Sequence, residues 1–271
     1  MSTTHSLLIE PEQLESRLND AKLLVVDMRN TDRYRESHIP GAVHLDYADI
    51  IRVSPPAMGL LPDEEQLSTV LSGIGLTPDT FVVAYDDEGG GRASRLLWTL
   101  DTLGHRQFAL LNGGIYAWVG EGHPLDQGIV TPTVSRYTAR FENPAVVADK
   151  DTILARLGQP DLALLDTRSL GEFAGSDVRA ARGGHIPGAV NLNWTHAIDQ
   201  ENNLRFKPDA ALRAMLEGIG VTPAKEVIVY CQTHHRSAHT YMVLKHLNYP
   251  KVRGYPGAWS EWGNNPSLPV A

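Results

Sequence analysis

The chain contains a single cysteine, Cys231, followed by Gln232-Thr233-His234-His235-Arg236-Ser237. A thiol, a permanently charged guanidinium and two imidazoles that charge near neutral pH therefore fall within six positions of one another. A thiolate is a strong nucleophile, and cationic neighbours both favour it over the thiol and attract an anionic partner. The chemistry implied is covalent attack on an anion that carries a transferable atom. Two plainer readings stand beside it. A lone cysteine also serves as a small buried hydrophobe. Cys231, His234, His235 and His239 could instead hold zinc, since His235 and His239 are four apart, but no second cysteine or matching ligand pair accompanies them.

The elements that must position this loop are legible on either side. Glu226-Val227-Ile228-Val229-Tyr230 reads as a buried strand, and Ser237 to Leu247 as a helix stopped by Pro250. A loop that curls between a strand end and a helix start turns successive backbone N–H groups inward, forming a nest for an anion.

The chain also repeats itself. Leu23-Leu24-Val25-Val26-Asp27-Met28-Arg29 returns as Leu162-Ala163-Leu164-Leu165-Asp166-Thr167-Arg168, and His38-Ile39-Pro40-Gly41-Ala42-Val43 returns unchanged at 185–190. Gly73-Ile74-Gly75-Leu76-Thr77-Pro78 matches Gly218-Ile219-Gly220-Val221-Thr222-Pro223, Tyr85-Asp86 matches Tyr230-Cys231, and Ala117-Trp118 matches Ala258-Trp259. Five landmarks in one order mark a tandem of domains rather than a solenoid. Each half is expected to be α/β, doubly wound around a mostly parallel sheet flanked by helices, with strands at 23–26, 81–85, 108–111, 162–165 and 227–230 and a helix from Pro11 to Leu18. The expected organisation is an N-terminal domain over 1–130, a linker over 131–147 marked by Pro132 and Pro144, and a C-terminal catalytic domain over 148–271. At the position of Cys231 the first copy has Asp86, followed by Asp87-Glu88. Aspartate cannot carry a transferable sulfur, so the N-terminal half reads as catalytically inactive.

Bulk properties narrow the field. With 271 residues, 42% hydrophobic and 21% charged, the chain can bury two cores. Its net charge of −8 provides no general basic field for nucleic acid or an anionic membrane, so neither is expected as a partner. One cysteine allows no internal disulfide. Met1 to Ser6 lacks a basic leader, and no apolar run is long enough to span a bilayer. The expectation is a soluble cytoplasmic protein.

Taken together, the two Asp-x-Arg strands, the two His-Ile-Pro-Gly-Ala boxes, the acidic residue in the first loop and the Cys231 loop in the second resemble the rhodanese family of two-domain thiosulfate sulfurtransferases over nearly the whole chain. Cys231-Gln232-Thr233-His234-His235-Arg236 is similar to the loop of Azotobacter-type bacterial rhodaneses. The resemblance implies a transferase without cofactor or metal. In it, Cys231 takes sulfur from thiosulfate as a persulfide and releases sulfite, and cyanide or a thiol then removes the sulfur, a route associated with cyanide detoxification. It further implies that Gln232, Thr233, His234, His235, Arg236 and Ser237 bind substrate, with Trp194 and Arg182 as a possible pocket rim. Asp166 and Arg168, like Asp27 and Arg29, are expected to pair structurally. Vertebrate members have basic residues directly after the cysteine and an arginine where this chain has Glu172.

Three rivals remain. Mercaptopyruvate sulfurtransferases share the plan but resemble a loop of small uncharged residues. Cysteine phosphatases close their loop on an arginine six positions after the cysteine, whereas Arg236 is five after Cys231. A sulfur carrier would keep Cys231 without fast turnover. A monomer is expected, since two fused domains need no partner copy.

Overall fold

Strand-sized apolar runs ending in Asp, Tyr or Gly become the two sheets of the protein. The computed structural model describes residues 6–271. Residues 1–5, on which the absence of a leader was read, lie outside the described residues. The chain divides into two units, the first Met1–Ile50, Pro62–Glu142 and Ile198–Phe206, the second Ile51–Leu61, Asn143–Ala197 and Lys207–Ala271.

In the first unit five strands pair in parallel, in the order Leu8–Ile9, Phe108–Leu111, Phe81–Tyr85, Leu23–Asp27, Val43–His44. In the second the order is Val252–Gly254, Glu226–Tyr230, Leu162–Asp166, Val190–Asn191, again parallel, and a single parallel bridge from Val147 to Gly254 stands where the first unit has Leu8–Ile9. Central strands buried on both faces need continuous apolar sequence, and Phe81 to Tyr85 and Val227 to Tyr230 are all buried. Helices connect successive strands. This is the expected doubly wound α/β arrangement in both halves.

The repeated motifs explain themselves as local structure. In each His-Ile-Pro-Gly-Ala box the Ala N–H returns to the Ile carbonyl, 2.9 Å for Ala42 and 3.0 Å for Ala189. Proline sits second in this turn and glycine third, where φ is 75° at Gly41 and 79° at Gly188, a type II arrangement that only glycine takes without strain. The box histidines are structural: His38 Nδ1 meets the Tyr34 carbonyl and His185 Nδ1 the Phe173 carbonyl, both at 2.9 Å. Each Asp-x-Arg strand end closes a buried ion pair. Arg168 Nη2 lies 2.6 Å from Asp166 Oδ2 and also donates to the Gly184 carbonyl, while Arg29 Nη2 lies 2.7 Å from Asp27 Oδ2.

Four expectations need correction. The linker 131–147 is divided between the units. Its first part is tied to the first unit through Ser135 N–H to the Ser72 carbonyl at 3.0 Å, Tyr137 N–H to Ser72 Oγ at 2.9 Å and Ala139 N–H to Ser68 Oγ at 2.9 Å. The domain limits are also crossed by two hairpins. Arg52–Ser54 with Ala57–Leu60 belongs to the second unit, and Ile198–Asp199 with Arg205–Phe206 to the first, where Phe206 N–H meets Asn112 Oδ1 at 2.9 Å. Finally, the tryptophan match shifts by three residues. Ile115 N–H donates to the Asp86 carbonyl and Trp259 N–H to the Cys231 carbonyl, so Trp118 corresponds to Trp262. Their indoles donate alike, to Pro124 and Pro269, both at 2.7 Å. The helix expected from Pro11 to Leu18 is shorter, Pro11–Glu15, because the chain then turns at Asp20, whose carboxylate accepts the Lys22 N–H.

The strand-end ion pair gives a stability prediction. In Asp166→Ala the Arg168 guanidinium, 1% exposed, keeps a buried charge without its carboxylate. Denaturant unfolding is expected to show a loss of about 3–5 kcal/mol. A loss under about 1 kcal/mol, the range of exposed pairs, would contradict this role.

Candidate active site

Cys231 follows the last residue of the Glu226–Tyr230 strand and has no exposed surface. Its carbonyl accepts Trp259 N–H at 2.9 Å, and the Gln232 carbonyl accepts Ser260 N–H at 3.0 Å, which pins the loop's first two peptides to the start of the Ala258–Trp262 helix. The other side of the loop is pressed by the Arg52–Leu60 hairpin. A Cβ on Gly59 would lie 2.0 Å from the Thr233 carbonyl oxygen, and Met58 N–H donates to Ser260 Oγ at 3.1 Å. Only glycine permits so close an approach between these backbones.

Within the loop, Ser237 Oγ is 3.4 Å from Cys231 Sγ, and His234 Nδ1 is 2.7 Å from the same Ser237 oxygen. Burial pushes the Cys231 thiol up. The Arg236 guanidinium, the Ser237 hydroxyl and the N–H groups of Ser237 and Thr233 outweigh it, so the thiol lies below its ordinary value. The loop therefore stabilises a thiolate.

Arg236 does not offer a free charge. Its Nη1 and Nη2 meet Glu172 Oε2 and Oε1 at 2.6 and 2.8 Å, a bidentate pair. Burial pushes the Glu172 carboxyl up, but the Arg236 bonds and charge, with help from Ser169 and Arg179, bring it down to about 2. Arg179 Nε lies 3.7 Å from Glu172 and its guanidinium also pairs with Asp177 at 3.0 Å, while its carbonyl accepts Gln232 Nε2 at 3.0 Å. The positive cradle expected from sequence is thus a balanced network of two guanidinium groups and two carboxylates.

Of the remaining expected residues, Thr233 and His235 are half-buried and His234 is fully buried. Trp194 does reach the loop helix: its ring lies 6.1 Å from that of His235 and 5.2 Å from that of His239. The four-residue spacing of these histidines serves this shared aromatic contact. Among the described residues no group of three or more His, Cys, Asp or Glu is placed to hold a metal. Arg182 is not at the rim. Its guanidinium is committed to the carbonyls of Trp262, Gly263, Asn265 and Leu268, at 2.9, 3.2, 2.5 and 2.8 Å, and fastens the C-terminal segment.

Glu172 and Gly59 were absent from the sequence-based site. Ser169-x-x-Glu172 is a capping box, and in the structure it caps a helix, Leu170–Phe173. That local role conceals the reach to Arg236. Gly59 lies in the other sequence half, and nothing local marks it.

The first unit contains the same loop, one with equal length, in a different state. The Asp86 carboxylate accepts N–H bonds from Glu88, Gly90 and Ala93 at 3.0, 2.8 and 3.0 Å. Its nest is filled by its own side chain.

Against this geometry, known proteins are informative. The rhodanese-like domain family matches twice, over residues 10–121 and 149–265. A thiosulfate sulfurtransferase of Azotobacter vinelandii is 46% identical over 264 residues, 97% of this chain and 96% of that one. One from Pseudomonas aeruginosa is 44% identical over the same shares. Among solved structures, the 3-mercaptopyruvate sulfotransferase SseA of Escherichia coli superimposes with a TM-score of 0.83 at 27% identity, covering 95% of this chain and all of that one. The chain belongs to the rhodanese-like family.

The Glu172–Arg236 pair predicts a pH dependence. A carboxyl held at about 2 in the folded protein, against an ordinary value of 4.5, contributes stability that is fully present above about pH 5 and is lost as pH falls toward 2. Wild type should exceed Glu172→Gln in unfolding free energy near neutrality by an amount of order 2 kcal/mol, allowing for solvent screening at the partly open Arg236. The gap should close as pH falls from 4.5 toward 2. A gap independent of pH would show that the carboxylate charge is not the source.

Proposed function

We propose that this two-domain rhodanese is a thiosulfate sulfurtransferase whose nucleophile is Cys231. The single observation that carries the reading is a buried cysteine held below its ordinary pKa by a strand-to-helix loop, in a chain 46% identical to a thiosulfate sulfurtransferase. The thiolate attacks the outer sulfur of thiosulfate. A bond forms from Sγ to that sulfur, the bond to sulfite breaks, and sulfite leaves with the electron pair. Cyanide carbon or an acceptor thiolate then attacks the outer sulfur and releases Sγ as thiolate. Dividing one transfer into two displacements lowers each barrier.

The loop's parts take roles in this scheme. Backbone N–H groups and the Ser237 hydroxyl stabilise negative sulfur, and Arg236 adds charge without leaving the hold of Glu172. Thr233, His235 and Gln232 form the half-exposed edge across which a donor must pass, because Cys231 has no exposed surface. Trp194 backs His235 and acts through it. The first unit, with Asp86 in its nest, has no nucleophile and serves no sulfur chemistry. A monomer acting on small molecules fits a chain that already carries both halves of the tandem fold. A thiol that must stay reduced to act suits the cytoplasm. Among the described residues no helix is long and apolar enough to cross a membrane.

Mercaptopyruvate is the second reading, favoured by the fold shared with the Escherichia coli enzyme. The loop here carries His235 and Arg236 where that reading expects small uncharged residues, so thiosulfate is preferred. Steady-state kinetics with cyanide as acceptor should give a higher kcat/KM for thiosulfate than for mercaptopyruvate, and Cys231→Ala should lose about a thousandfold or more with either donor. A clear preference for mercaptopyruvate would reverse the choice of donor. Substantial activity in Cys231→Ala would remove the nucleophile.

A further inference from the structure

The two loops form an internal comparison at atomic detail. Both run from a buried strand to a helix, the first from Asp86 to the helix Gly91–Thr102 and the second from Cys231 to the helix Arg236–His246, with the same number of residues between. Both place their fourth residue in the left-handed region, φ 90° at Gly89 and φ 59° at His234. Glycine adopts that conformation freely, whereas histidine is strained there. Where the first copy has Asp86, Gly89 and Arg92, the second has Cys231, His234 and Ser237. In the second copy, whose loop differs from the first at every position, these three residues are in contact: His234 Nδ1 to Ser237 Oγ at 2.7 Å, and Ser237 Oγ to Cys231 Sγ at 3.4 Å, all three being fully buried. Strain of this kind persists only where the surroundings hold it, and it concentrates at functional sites.

We propose that Cys231, Ser237 and His234 form a proton relay, in which the thiol proton passes to Ser237 Oγ as the Ser237 proton passes to His234 Nδ1. Before transfer, S–H donates to Oγ and O–H donates to a neutral imidazole. After transfer, the imidazolium N–H donates to Oγ and the hydroxyl donates to the thiolate. Serine ends as it began, one proton has moved from sulfur to nitrogen, and no other reactant is needed. When the acceptor has taken the outer sulfur, the same chain leaves the thiolate ready for the next donor. Ser237 touches the reacting sulfur and is the catalytic residue of the relay. His234 acts through it and is a positioning residue. The inference rests on Cys231 being the nucleophile and assigns what prepares it.

Other groups facing this cluster are identifiable. Arg236, paired with Glu172, acts on the sulfur directly, and Arg179 stands behind Glu172. His235 caps the loop helix and His239 lies on it, both against the neutral Trp194. The strand beneath supplies Tyr230, whose hydroxyl accepts the Ile186 N–H and lies by the Asp166–Arg168 pair. On the Val252–Gly254 strand, Arg253 is engaged with Glu226. None of these provides a hydroxyl at hydrogen-bonding distance from the sulfur, which is the part reserved for Ser237.

The test is the ionisation of Cys231, followed by thiolate ultraviolet absorbance against pH in the full chain, a readout that needs no sulfur donor. His234→Gly installs the residue of the silent loop, so the variant should keep or raise the wild-type melting temperature while its thiol titrates roughly one unit higher. His234→Asn, which tolerates the left-handed backbone and can hydrogen bond but cannot take the proton, should titrate as high as His234→Gly. Ser237→Ala should show a similar rise, and the Ser237→Ala, His234→Gly pair should rise no further than the larger single change. Single-turnover sulfur loading from thiosulfate should fall about tenfold below the new midpoint and recover above it. A wild-type titration in His234→Gly, or in His234→Asn alone, would overturn the relay. Failure of the wild-type protein to load sulfur while these titrations shift as expected would instead count against the sulfurtransferase reading and leave the relay standing.

Discussion

A sulfur with no exposed surface that must take negative charge to act is the constraint on which this site depends. An isolated buried anion is costly, and proteins accept one only where donors or opposite charge replace the lost water. Here the replacement comes from the N–H groups of Thr233 and Ser237, the Ser237 hydroxyl and Arg236. Arg236 must itself be held, and Glu172 holds it. Glu172 in turn is fixed by the capping box with Ser169 on the short helix Leu170–Phe173, directly after the Asp166–Arg168 pair that closes its strand. The geometry at Cys231 is thus inherited from a sequence of rigid contacts running back into the sheet. Gly59 contributes from the opposite side by allowing the hairpin backbone to lie against Thr233.

The duplicated fold shows how little separates the Cys231 loop from the Asp86 loop. Sheet order, the His-Ile-Pro-Gly-Ala turns and the Asp-x-Arg pairs are common to both units. In the first, burial and the neighbouring Glu88 push the Asp86 carboxyl up to about 6 although three N–H groups bind it. The same nest architecture therefore serves either a resident carboxylate or a reactive sulfur. At the matched positions, left-handed backbone is carried by Gly89 and Gly114 in the first unit and by His234 and Ala258 around Cys231.

Much of this was legible in the sequence, for identifiable reasons. The strands at 23–27, 81–85, 162–166 and 226–230 are largely buried on both faces, and each appears as an apolar run of four or five residues. Cys231 stood out because polar residues such as Gln232, Thr233 and His235 do not follow a core strand unless it ends at an opening. What was hidden depends on contacts between distant residues. Glu172 carries an ordinary helix-capping signature and gives no hint of Arg236, 64 positions away. Arg182 looked like a free cation beside a pocket, yet the four carbonyls it binds lie some eighty residues further on. The hairpins at 52–60 and 198–206 pack with the unit of the opposite sequence half, which no local pattern encodes. The tryptophan landmark misled because Ala-Trp recurs three residues out of register with the backbone contacts that define equivalence.

In the proposed reaction Cys231 carries the transferred sulfur. Intact-protein mass spectrometry after brief exposure to thiosulfate and removal of excess donor tests it directly. The expected result is a mass gain of one sulfur atom per chain, discharged by cyanide and absent in Cys231→Ala. An unchanged mass in the wild-type protein, or an equal gain in Cys231→Ala, would contradict it.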